Sequence, residues 1–121
     1  MEGVRTSVRH RWPDLPSEAV APSILRRFIT GDRLTVAQFE LKKGGVVPRH
    51  SHDQEQITCV LRGALRFDID GRQVVVRQDE VLQIPGGVEH GVTVLEDAVV
   101  IDVFSPVRQD WIDKTDDYFR R

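Results

Sequence analysis

Gly44-Gly45-Val46-Val47-Pro48-Arg49-His50-Ser51-His52-Asp53-Gln54-Glu55-Gln56 and, further along, Pro85-Gly86-Gly87-Val88-Glu89-His90 hold three of the chain's four histidines. Neutral imidazole is the commonest side-chain metal ligand. Residues i and i+2 of an extended strand project from one face, so His50 and His52 can converge on a single point. Gln56 keeps that even parity and offers an amide oxygen to the same face. Glu55 faces the other way on a regular strand, and a bulge would exchange the two. The plainer alternative is three polar histidines on unrelated surface turns.

Outward from these stretches the punctuation is that of an all-β protein. Ile24 to Thr30 reads as a strand, Gly31-Asp32 as a turn and Leu34 to Leu41 as its partner. Lys42-Lys43-Gly44-Gly45 breaks the chain before the histidine strand, which carries His50 and His52 and continues to Gln56. Ile57 to Leu61 is an apolar run, and Leu65 to Ile69 alternates cleanly. Asp70-Gly71 is a favoured two-residue hairpin turn before Gln73 to Arg77. Val81 to Ile84, the Pro85-Gly86-Gly87 turn and Val88 to Leu95 follow. Ala98 to Phe104 is apolar at both parities except for Asp102, as expected of a strand covered on both faces. The segment Gln109 to Phe119 leans helical, with Trp111, Thr115, Tyr118 and Phe119 on one packing stripe.

The 121 residues suit one domain, with a core barrel over about 24–104, an arm over 1–23 and a tail over 105–121. The 17 basic and 19 acidic residues leave a net charge of −2, so no nucleic-acid-binding surface is advertised. Cys59 is the only cysteine; it excludes an internal disulfide and, within an apolar run, reads as a buried inert thiol in a reducing compartment. The first residues lack an apolar signal region and no run is long enough to span a membrane, so the expected location is the cytoplasm.

Short, evenly spaced strands suggest a closed barrel or a jelly roll. The first histidine stretch resembles the cupin motif G-x5-H-x-H-x3-E-x6-G, with Gly44, His50, His52, Gln56 and Gly63 in register and Gln56 in place of the acid. The second resembles G-x5-P-x-G-x2-H-x3-N at Pro85, Gly87 and His90, with Asp79 and Val94 replacing its ends. The resemblance implies a cupin, or RmlC-like, jelly-roll barrel (a double-stranded β-helix) with a short C-terminal helical segment. It implies little about chemistry, because one barrel hosts many reactions.

Gln56 narrows the options. Three imidazoles and an amide leave a divalent ion at formal +2, whereas a carboxylate would leave it at +1. The amide set favours polarising a substrate oxygen over stabilising an oxidised iron. Its alternative is a change that weakens metal binding. Asp102, inside an apolar strand, cannot be buried cheaply without a partner. Its parity matches Val100 and Phe104, so it either reaches the cavity as a proton-transfer group or pairs with Arg26, Arg27 or Arg66.

From about Trp12 to Trp111, and most clearly over Leu95 to Trp111, the chain also resembles pectin-degradation cupins of the KdgF type. That resemblance implies metal-dependent, non-redox ring opening of 4,5-unsaturated uronates from pectin or alginate to linear 5-keto-4-deoxyuronates. Carried over, the ligands of one divalent ion (Ni, Zn, Fe, Co or Mn) are His50, His52, Gln56 and His90. The active-site residues are Asp102, Phe104 and Arg108, with Arg108 holding a substrate carboxylate and Phe104 walling the sugar. By residue type alone, Arg108 would be a solvated loop charge and Phe104 a core aromatic. Two other classes stay open: a cupin dioxygenase, and a non-catalytic sugar- or small-acid-binding cupin. Apolar residues at both parities of Val99 to Val103, with Cys59 and Leu61 opposite the ligand face, suggest a homodimer.

Overall fold

Period-two alternation is realised as eight antiparallel strands in a computed structural model that describes residues 6–116. They are β1 (Glu18–Ala21), β2 (Ile24–Thr30), β3 (Thr35–Leu41), β4 (Val46–His50), β5 (Glu55–Ile69), β6 (Arg72–Arg77), β7 (Val81–Ile84) and β8 (His90–Ser105). A helix, α1 (Gln109–Ile112), follows.

Two long strands, β5 and β8, pair with each other and organise everything else. The second half of β8 lies between β3 and the first half of β5, and β7 extends that sheet beyond β5. The first half of β8 lies between β4 and the second half of β5, which β6 extends. Register shifts between Val60 and Leu65 let β5 bend from one sheet to the other. Gly63 sits in that bend at φ 88°, and a Cβ there would collide with the Asp97 carbonyl. Only glycine suits both constraints. The result is the expected cupin jelly roll, with β1 and β2 continuing the larger sheet past β3.

The inward residues of both sheets form one apolar core, including Phe39, Val60, Leu65, Phe67, Val100 and Phe104. Opposite parity produces a different surface. Val36, Ile57, Cys59, Val99, Ile101 and Val103 are only partly buried, while Leu61 and Val81 are 51% and 61% exposed. Cys59 is therefore a half-buried thiol on the outer face, not a core one.

Several boundaries differ from the sequence expectation. Ile57 to Leu61 and Leu65 to Ile69 are halves of β5, and Val88 to Leu95 and Ala98 to Phe104 largely merge in β8. Bulges, not loops, absorb the breaks in pattern. The arm contributes β1, whose Val20 is buried in the core. The histidine strand ends at His50, so His52 lies in the link to β5 and Gln56 on β5 itself. The helical tail shortens to α1: Trp111 is buried, Thr115 is exposed, and Tyr118 and Phe119 lie outside the described residues.

Candidate metal centre and active site

His50 closes β4 directly opposite His90, which opens β8. Pairing of the two strand ends brings these rings to 4.4 Å between centroids, with His52 at 5.7 Å from His50 and 5.1 Å from His90. Strand alternation does not place His52. Instead Gly87 N–H donates to the His52 carbonyl over 2.8 Å, tying the 51–54 link to the Pro85-Gly86-Gly87 turn. Gly86 permits that contact, since a Cβ there would strike the Asp53 carbonyl. Both motifs are thus needed to build one corner.

Each ring is oriented by its Nδ1. His50 faces the Pro48 carbonyl at 2.8 Å, His52 that of Gln54 at 3.1 Å and His90 that of Val88 at 2.9 Å. A carbonyl only accepts, so Nδ1 carries the proton and Nε2 keeps the lone pair of each neutral ring. Burial and the neighbouring positive groups keep the rings neutral: His50 is lowered to about 3 and His52 to about 4, chiefly by burial, and His90 is lowered too. Potential ligand atoms of the three lie within 4.8 Å of one another. His90 Nε2 is buried without a hydrogen-bond partner among the described residues. Three neutral imidazoles, locked by backbone acceptors and offering lone pairs, fit a divalent metal ion.

Gln56 faces inward and Glu55 is exposed, as parity requires. The Gln56 Oε1 lies 3.0 Å from His52 Nε2. Its Nε2 donates to Thr58 Oγ1 over 2.9 Å, and that hydroxyl donates to Asp102 Oδ1 over 2.6 Å. Asp102 does not pair with the arginines considered as its partners. Arg26 engages Asp116 and Glu18, Arg27 engages Glu40, and Arg66 approaches Thr93. Burial raises the Asp102 carboxyl to about 6, with the Thr58 hydrogen bond and the Arg108 charge acting the other way.

Arg108 is 1% exposed, which excludes a solvated loop charge. Its guanidinium stacks 4.6 Å from the Phe104 ring centre and 4.3 Å from that of Trp111. Asp110 holds it through two hydrogen bonds. Burial pushes the Asp110 carboxyl up, but its bonds to Arg108 prevail and leave it below the usual range. One cavity is lined by His50, Gln56, Thr58, His90, Asp102 and Arg108 over an apolar floor that includes Phe39, Phe67 and Phe104. His52 stands beside it, its ring edge-on to Phe104 at 5.6 Å.

Thr58 and Asp110 are parts of this site that the sequence does not flag. Thr58 shares the inward parity of Gln56, which is its one available signal. Asp110 looks like an ordinary acid in a first helical turn.

The cupin-domain family model matches residues 37–104, more than half of the chain and nearly all of the stretch from β3 to β8. This chain is a cupin. The "Pectin degradation protein KdgF" of Dickeya dadantii (strain 3937) is 31% identical over 102 residues, covering 82% of this cupin and 93% of that protein. Among solved structures, KdgF from a Halomonas species superposes with a TM-score of 0.76 at 28% identity, over 82% of this cupin and 94% of that chain. An RmlC-like cupin from Shewanella frigidimarina NCIMB 400 reaches a TM-score of 0.80 at 23% identity, over 92% and 99% of the respective chains, and attests the fold alone.

Proposed function

We propose that this cupin opens the ring of 4,5-unsaturated uronates derived from pectin or alginate, without redox chemistry, to give linear 5-keto-4-deoxyuronates. The observation that carries this reading is the meeting of three neutral imidazoles, a buried acid and a clamped guanidinium around one cavity. The similarity over most of the chain to KdgF, a pectin degradation protein, supports a substrate derived from pectin. No helix among the described residues is long and apolar enough to cross a membrane. With a single cysteine and near-balanced charge, the enzyme acts in the cytoplasm on a small acid.

His50, His52, His90 and the Gln56 oxygen would hold one divalent ion, Ni, Zn, Fe, Co or Mn. Such an ion supplies Lewis acidity that polarises a substrate oxygen. Arg108 binds the uronate carboxylate through its planar set of donors. Asp102 accepts the proton of the anomeric hydroxyl as the C1–O5 bond breaks, with the bonding pair leaving on O5 as an enolate. The same carboxyl returns that proton to C4, and C5 becomes a ketone. No atom is gained or lost. Its carboxyl at about 6 is close enough to neutrality to run both transfers. Phe104 walls the sugar and excludes water. The partly exposed apolar face around Ile57, Cys59, Ile101 and Val103 is covered by a second copy, making a homodimer.

The assay is loss of the unsaturated-uronate absorbance with the open-chain ketone identified by NMR. Turnover of unsaturated galacturonate, or of its mannuronate- or guluronate-derived counterpart, supports the reading. Absence of turnover on all of them ends it; tight binding alone would then indicate a sensor, and oxygen uptake with another substrate a dioxygenase.

A further inference from the structure

We propose that Thr58 is a positioning residue that turns the Gln56 amide so that its oxygen, not its nitrogen, faces the imidazole cluster. The proposal rests on the reading of that cluster as a metal site.

An amide presents an acceptor at one end and donors at the other, and the hydrogen-bond network decides which end points where. Here the decision begins at Asp102. Thr58 and Asp102 are cross-strand partners on β5 and β8, and Thr58 is 1% exposed. A hydroxyl owns one proton. At 2.6 Å from Asp102 Oδ1, with the carboxylate as acceptor, that proton is committed. Toward Gln56 the Thr58 oxygen then has only lone pairs to offer. The group it meets at 2.9 Å must therefore be the amide N–H.

The amide oxygen is left 3.0 Å from His52 Nε2. His52 Nδ1 faces the Gln54 carbonyl, so the single proton of its neutral ring sits there. Two lone pairs consequently confront each other at hydrogen-bond distance with no proton between them. Such an arrangement is unfavourable alone and favourable around a shared cation. A Gln56 amide free to rotate would offer an N–H to His52 instead, relieving the repulsion and withdrawing a ligand. The Thr58 hydroxyl blocks that rotation. A carboxylate at position 56 would need no such control, because both of its oxygens are equivalent acceptors. The amide and the inward threonine thus act together.

The test uses the full-length protein stripped by chelator and titrated with Co(II) alone, affinity being read by chelator competition and geometry by the visible Co(II) spectrum. Thr58→Val keeps the shape and removes the hydroxyl; it should weaken Co(II) binding by roughly 10- to 100-fold, the usual effect of losing a group that orients a metal ligand. Thr58→Ser should stay within about threefold of the parent by retaining that hydroxyl. Adding Gln56→Glu to Thr58→Val should restore tight binding and the parent spectrum. Should Thr58→Val not fold, Thr58→Ala must show the same loss and the same rescue. Equal Co(II) affinity and spectra for the parent and the variants lacking the hydroxyl would overturn the positioning role and leave the metal site standing. A parent protein that binds no Co(II) would overturn both.

Discussion

Asp110 grips Arg108 from two sides of one guanidinium edge, accepting from Nε at 2.9 Å and from Nη2 at 2.8 Å. The grip, with Phe104 and Trp111 stacked against the plane, holds a buried cation at the cavity wall in a single orientation. Lysine cannot reproduce a two-point fork. Arg108→Lys should therefore raise KM for unsaturated galacturonate by roughly 10- to 100-fold, the range for losing a charged hydrogen bond. A substrate carboxylate is present in ground and transition states alike, so kcat should change far less. Steady-state kinetics separates the two parameters, and an unchanged KM would remove Arg108 from substrate binding.

Asp102 accepts a hydrogen bond from Thr58 and is also the proposed proton-transfer group, and one substitution separates the two roles. Asp102→Asn keeps an oxygen that accepts from Thr58, preserving the Thr58–Gln56 contact, but it cannot carry a proton back and forth. Ring opening should slow by about 10² to 10⁴, the usual loss for one positioned acid or base. Metal content by elemental analysis should stay at the parent level. Loss of metal together with activity would instead make Asp102 a structural support.

Part of this was legible in the chain. The histidine spacing pointed to His50, His52 and His90, and parity separated Gln56 from Glu55. Alternation and the Asp70-Gly71 turn specified a β architecture. The unread parts depend on partners distant in sequence. Thr58 is an unremarkable strand threonine until β8 sets Asp102 against it, 44 positions away. Gly63 looks like a strand terminator, yet it permits a bend within a continuous strand because Asp97 leaves no room for a side chain. His52 leaves the strand because a backbone hydrogen bond from Gly87, in the other motif, recruits its carbonyl. Composition and period record none of these pairings.

The outer sheet face offers a test of assembly. Register sets Ile101 beside Cys59 and Cys59 beside Val81, continuing a partly exposed apolar row across β8, β5 and β7. Sedimentation at micromolar concentration should give the mass of two chains. Val81→Asp puts a charge into that row without touching the cavity, and desolvating an unpaired carboxylate is strongly unfavourable. It should shift the mass toward one chain with metal content unchanged. A parent protein sedimenting as one chain would refute the dimer.

Acid should destabilise the metal-free protein, and the sign follows from the buried groups. His50 and His52 fall from 6.5 to about 3 and about 4, and His90 is lowered as well. As pH drops below about 6.5 the unfolded chain binds protons at these positions before the folded chain does, so stability falls until the folded imidazoles titrate. Asp102 opposes this trend. Its carboxyl is raised from 3.8 to about 6, so between those values the folded chain binds the extra proton and gains stability as pH drops. Three lowered imidazoles outweigh one raised acid, and the net slope is loss toward low pH. In chelator, the midpoint of thermal unfolding should decrease steadily from pH 7 to pH 4, and more steeply in Asp102→Asn, which lacks the opposing group. Zn(II) should raise the midpoint throughout pH 5 to 7, because the folded imidazoles of His50 and His52, lowered to about 3 and about 4, stay free of protons there. A flat or rising midpoint on acidification in chelator would show that the three rings are not held neutral by the fold.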